Sequence, residues 1–128
     1  MGRFGGQFCP QRAGRLVRLA ALIEELVAAW QVNDAHRASA FFAQDGVYHE
    51  AGGDAIAGRE AILEHFQRFF RDGPAWRFEI EEIVVEDDRA AVAYRFSVSR
   101  RGEWHQSEGC ALVRREGGLI ARWREYHG

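Results

Sequence analysis

From Arg15 to Val32 the apolar residues Leu16, Leu19, Ile23, Leu26, Val27 and Trp30 recur at three- and four-residue intervals, the spacing that gathers one face of an amphipathic helix. Asn33-Asp34 interrupts the pattern, and Asp34 can cap a short second helix running through Phe41 and Phe42 by accepting a bond from a free backbone N–H. The two helices are expected to form a hairpin. Asp45-Gly46 then turns the chain into a short strand, Val47 to Ala51, followed by a Gly-rich loop from Gly52 to Gly58. A third helix is expected from Arg59 to Arg71, burying Ile62, Phe66 and Phe69 or Phe70, with Gly73-Pro74 ending it.

Beyond Pro74 the period changes from helical to alternating. Trp76, Phe78 and Ile80 alternate, and the apolar phase shifts at Ile83-Val84-Val85, which predicts a bulge near Glu81-Glu82. Turns at Glu86 to Arg89, Arg101 to Glu103 and Glu116 to Gly118 separate strands from Ala90 to Arg100, Trp104 to Arg115 and Leu119 to His127. The last strand puts Trp123, Glu125 and His127 on one face and Arg122, Arg124 and Tyr126 on the other. Each face mixes aromatic and ionisable groups, as the wall of a pocket does. Three helices followed by an antiparallel meander predict an α+β domain, with a curved sheet wrapped around the helices as a cone. Polar residues pointing into such a cone leave it incompletely filled, so a pocket is expected.

Composition narrows this picture. With 128 residues the chain is long enough for one core without metals or disulfides, and a 47% hydrophobic content excludes a disordered chain. The expected division is a flexible extension from Met1 to Gly14 and one domain over 15–128. A net charge of -2 gives no reason to propose nucleic acid or an anionic membrane as partner. All seventeen basic residues are Arg, from which no function is drawn. Cys9 and Cys110 form no motif, so a reduced, cytoplasmic setting is the default expectation. No apolar run approaches a membrane span, and no His-x-x-x-His or similar spacing suggests a metal site.

Four segments carry a family resemblance: Trp30…Asp34, Phe41-Phe42-Ala43-Gln44-Asp45, Gly58-Arg59-Glu60-Ala61-Ile62 and Gly118-Leu119-Ile120…Arg124…Tyr126. In order and spacing they resemble the nuclear transport factor 2-like superfamily in its SnoaL-like branch, which includes polyketide cyclases, ketosteroid isomerases and limonene-epoxide hydrolases. The resemblance covers about Leu16 to Tyr126. It implies a cone-shaped fold with a deep apolar pocket, dimeric, without cofactor. Within the branch, Asp45 to Glu50 is similar to the epoxide hydrolase segment in which a Tyr and an Asn hold the attacking water; Tyr48 matches the Tyr, and Glu50 replaces the Asn. Tyr94-Arg95-Phe96-Ser97 is similar to their Arg-x-Asp strand, with Arg95 in place and Ser97 at the Asp. Trp123-Arg124-Glu125-Tyr126 is similar to their Trp-Arg-Asp-Tyr, which puts Glu125 at the water-activating carboxylate. In the comparison with ketosteroid isomerases, Glu50 falls on the general base, and Trp30 or His105 could donate a hydrogen bond.

If the strands alternate as read, Tyr48 and Glu50, Arg95, Ser97 and Ser99, His105, Ser107 and Gly109, and Trp123, Glu125 and His127 face the interior. Burying a lone carboxylate costs several kcal/mol unless its pKa rises or it is paired. Arg95 is the natural partner of Glu50 or Glu125 because its planar fork grips one or two carboxylates. The expected catalytic set is therefore Glu50, Arg95, Glu125 and Tyr48, and the expected substrate contacts are Trp30, Phe66, Ser97, His105, Ser107, Trp123 and His127. His36 and His65 are read as solvent-facing on their helices and His49 as pointing away from Glu50, all three without function.

Two functional classes follow. One is a cofactor-free acid/base enzyme acting on a small, apolar or amphipathic molecule, by epoxide hydrolysis, isomerisation or cyclisation. The other is a non-catalytic small-molecule-binding or dimerisation module of the same fold. A partner-binding domain is a third reading, in which Tyr94, Phe96 and Val98 form an outer apolar patch; in a homodimer they would form the interface.

Overall fold

The computed structural model describes residues 18–127. The expected extension over Met1 to Gly14 and the first residues of the opening helix lie outside the described residues. Helix α1 spans Leu19–Gln31 and buries Leu19, Leu22, Ile23, Leu26, Val27 and Trp30, the face that the spacing predicts. It ends where Asn33 turns into the left-handed region at φ 58. Asp34 then caps α2, Ala35–Ala40, with Oδ1 accepting from the Arg37 N–H at 3.0 Å.

The second helix is shorter than expected. Phe42 opens strand β1, Phe42–His49, instead of closing α2. Local pattern cannot separate these alternatives; tertiary pairing does, because Phe42 is fully buried and pairs in parallel with Ile120 of the last strand. The register between these strands slips between Phe42 and Val47. Gly46 sits in that irregularity, where an added Cβ would stand 2.9 Å from the Ile120 carbonyl oxygen, so only glycine lets the backbones approach.

The expected glycine loop contains a three-residue strand, β2 (Ala55–Ala57), which folds back antiparallel on β1. Helix α3, Arg59–Asp72, buries Ile62 and Phe66. Four long strands follow: β3 (Trp76–Glu86), β4 (Arg89–Arg100), β5 (Glu103–Glu116) and β6 (Leu119–His127). The predicted bulge is present between Ile80 and Glu82.

The sheet order is β2-β1-β6-β5-β4-β3. It is a curved, unclosed sheet with the helices against it, the cone-shaped α+β architecture. One feature departs from the expected antiparallel sheet: β1 and β6 run parallel. The last strand therefore sits between the first strand and the meander, and Trp123, fully buried, pairs with Tyr48. Helix α1 lies against β3 and β4, and α3 against β1 and β2. At the β3 edge the Phe78 N–H donates to Oε1 of Gln31 at 2.6 Å, which ties the end of α1 to the sheet. Among the described residues no helix is long and apolar enough to cross a membrane.

Candidate active site

The concave side of the sheet is not filled. A cavity of about 370 Å³ opens between α1, α3 and the sheet, with Trp30, Tyr48, Glu50, His65, Tyr94 and Glu125 among its walls. Trp30 stands edge-on to Tyr48, Phe66, Phe78 and Trp123, with ring centroids 5.2 to 6.2 Å apart.

Glu50, just past the end of β1, accepts at Oε2 from the Tyr48 hydroxyl at 3.0 Å, and His65 Nε2 from α3 stands 3.2 Å from the same oxygen. Burial works against the charge on this carboxylate. The His65 bond and charge and the Tyr48 bond outweigh it, so Glu50 is held below its ordinary pKa and stays ionised. The Tyr48 hydroxyl is driven the other way, well above its ordinary value, by burial first and then by the charges of Glu125 and Glu50; it remains a donor.

Glu125 lies on β6 in a different setting. Burial raises its pKa to about 7, although the Trp123 indole N–H donates to Oε2 at 2.9 Å and the Tyr94 hydroxyl donates as well; the charge of Glu50 adds to the rise. Two carboxylates thus share one cavity with opposite tendencies near neutrality: one ionised, one ready to carry a proton. Environments that push paired groups apart in this way are what acid/base chemistry requires.

Tyr94 reaches Glu125 because of the residue opposite it on β5. Gly109 is its register partner, and a Cβ there would lie 2.6 Å from the Tyr94 hydroxyl oxygen. The missing side chain leaves the phenol room to lie across the strand. Burial is also the main reason that Tyr94 is held well above its ordinary pKa.

The structure corrects several expected positions. On β4 it is Tyr94 and Phe96 that line the cavity, so the strand presents the opposite face from the one read from the Arg-x-Asp resemblance. Arg95 points to the outer face, bonded to Glu81 and 3.6 Å from Glu79; it touches neither Glu50 nor Glu125. The reason is energetic. Tyr94 and Phe96 gain from leaving water, whereas Arg95 keeps partial hydration and two carboxylate partners outside. Ser97 goes outward with it, and the outer apolar patch expected from Tyr94, Phe96 and Val98 does not exist, since Tyr94 and Val98 are buried and Phe96 lines the cavity.

His105 shares the inner phase but is exposed, opposite Val98 and away from the cavity lining. Trp123 is fully buried and stands behind the cavity wall, where its indole N–H bonds Glu125, which does line the cavity. Ser107, His127, Trp30 and Phe66 do line the cavity, with Tyr48, Glu50 and Glu125. His65, read as bland, belongs to this group. Its signal was in the sequence: it stands three residues after Ile62 and four before Phe69, on the apolar stripe of α3. Among the described residues, no three His, Cys, Asp or Glu side chains are grouped to hold a metal ion.

Similar folds have been solved elsewhere. The chain superposes with a TM-score of 0.73 on Bal32a from a soil-derived mobile gene cassette, at 22% identity over 84% of this chain and 86% of that one. With an LEH-like epoxide hydrolase from M. tuberculosis the TM-score is 0.74, at 20% identity over 84% and 76%. With a protein of ketosteroid isomerase-like fold from Catenulispora acidiphila it is 0.74, at 21% identity over 84% and 85%. At these identities the likeness is one of fold. A search of curated proteins returned no match. The model of the SnoaL-like domain matches residues 23–123, from the buried face of α1 to the Trp123 that supports Glu125. On the strength of that match the chain belongs to the SnoaL-like domain family, within the nuclear transport factor 2-like superfamily.

Proposed function

We propose that the chain is a cofactor-free acid/base enzyme that moves protons on a small, largely apolar molecule held in the cone. One observation carries this reading: Glu50 and Glu125 line one cavity, and their surroundings favour opposite protonation states. Glu50 is the base. It takes a proton from a carbon acid or from water, held in place by Tyr48 and His65. Glu125 is the acid, giving its proton to the oxygen on which charge develops, while Trp123 and Tyr94 orient the carboxyl group. In the addition of water Glu50 ends protonated and Glu125 ionised, and exchange with solvent resets both; in an isomerisation Glu50 returns its proton to a second carbon and Glu125 recovers its own from the oxygen. Arg95 has no part in this scheme. Allylic isomerisation and addition of water to a strained ring make the same demand on the pair.

The pH dependence follows from the pair. Activity needs ionised Glu50 and protonated Glu125, so kcat/KM should be bell-shaped, with an acid limb below the ordinary carboxylate value of 4.5 and a basic limb at about 7. The test uses a neutral epoxide (styrene oxide) and a β,γ-unsaturated cyclic ketone as substrates. Glu50→Gln and Glu125→Gln should each lower turnover by about 100-fold or more while the thermal transition persists. Full activity in both variants would refute the assignment.

A further inference from the structure

The cavity is polarised along its length, and on the acid/base reading above this has a consequence for the substrate. Tyr94, which bonds Glu125, and Arg100, at the end of the same strand, share one face of β4 and both line the cavity. At strand rise they are on the order of 20 Å apart, well beyond the screening length, so Arg100 does not belong to the carboxylate network. Arg100 is exposed, and among the described residues it forms no ion pair, not even with Glu103, its register partner across the turn.

Aromatic rings line the space between. Phe70 stacks on Trp76 at 5.9 Å with only 6° between the planes, Trp76 continues to Phe96 at 6.2 Å and 28°, and Phe66 stacks on Phe70 at 6.1 Å. Near-parallel ring faces favour a flat apolar body over a branched one. At the other end ionised Glu50 is already matched by His65, 3.2 Å away, so among the described residues that end offers an anion no guanidinium of its own. A molecule with one anionic group therefore gains most with its charge at Arg100 and its neutral end at the carboxylates.

We propose that the substrate class is a flat apolar molecule with a single terminal anion, a carboxylate or a group of similar charge, which Arg100 holds at the mouth while the neutral end reaches Glu50 and Glu125. Arg100 is a specificity residue in this arrangement. A guanidinium can grip such an oxyanion with two parallel N–H bonds, whereas a neutral analogue forgoes them.

Binding of two fluorescent probes tests this without any turnover. 8-Anilinonaphthalene-1-sulfonate carries a permanent anion; N-phenyl-1-naphthylamine has the same ring system without it. In low-salt buffer the sulfonate should bind about two- to fivefold more tightly than the amine, as one rim charge pair allows. The two should displace each other one for one. Arg100→Gln should remove the difference and leave the affinity of the amine unchanged, while Arg101→Gln, in the neighbouring turn, should preserve it. Equal affinities in the wild type, independent binding of the two probes, a preference that survives Arg100→Gln, or equal loss in Arg101→Gln would each overturn the proposal. Inactivity of the acid/base pair would leave these binding results unaffected, so the two readings fail separately.

Discussion

At the scale of single residues, Glu125 links stability to pH. Its pKa is about 7 in the folded chain against an ordinary 4.5, chiefly because burial penalises its charge. Between those values the folded state binds more protons than the unfolded state. The stability from this group is therefore fully present below about 4.5 and is lost as pH rises through about 7. The cost of ionising Glu125 in place is at most about 3 kcal/mol. Glu50 is shifted the other way, and its contribution is lost only on acidification below the ordinary carboxylate range. Between pH 5 and 8, where histidines titrate too, the difference between wild type and a Glu125 variant isolates Glu125. Wild-type protein should lose stability across that window in denaturant titrations, and Glu125→Gln should lose markedly less; parallel losses in both proteins would show that Glu125 is not held protonated.

At the scale of elements, the phase of β4 decides which side chains reach the cavity. Arg95 on the outer face forms exposed ion pairs, which are worth about 1 kcal/mol or less. Arg95→Gln should lower stability by no more than that and leave kcat/KM of the proposed reaction unchanged. A hundredfold loss of activity would put the guanidinium back in the site. Most of the architecture was legible in the sequence because helix and strand periods differ and turns carry their own residues. The stripe of α1, the Asp34 cap, the bulge after Ile80 and the inward phase of Trp123, Glu125 and His127 all came from that logic. On β4 the resemblance to an Arg-x-Asp strand runs against the apolar phase of Val92, Tyr94 and Phe96: the resemblance implies Arg95 and Ser97 inside, whereas the plain rule of burying rings puts them on the other face, where they lie. The β1 start at Phe42 and the Tyr94–Gly109 contact depend on partners distant in the chain, so no local window contains them.

At the scale of the whole molecule, the core and the site share one strand. Trp123 is the largest fully buried side chain, and its indole N–H bonds Glu125. Trp123→Ala should cost about 3–5 kcal/mol, a large share of the stability of a domain this size, read as a fall in the denaturant midpoint with little change in slope. A midpoint near that of wild type would mean that β6 is not central to the core. The parallel pairing of β1 with β6 also bears on how the protein folds. β1 meets β6 only after β2, α3 and the whole β3 to β5 meander have been spanned, so this strand pairing carries the largest loop-closure cost in the sheet. The hairpins can form early, but β1 must wait for a strand far along the chain. Until it docks, Phe42 and Tyr48 have the cover of Phe66 from α3 but not that of β6, and its docking is also what brings Glu50 and Glu125 to the same cavity.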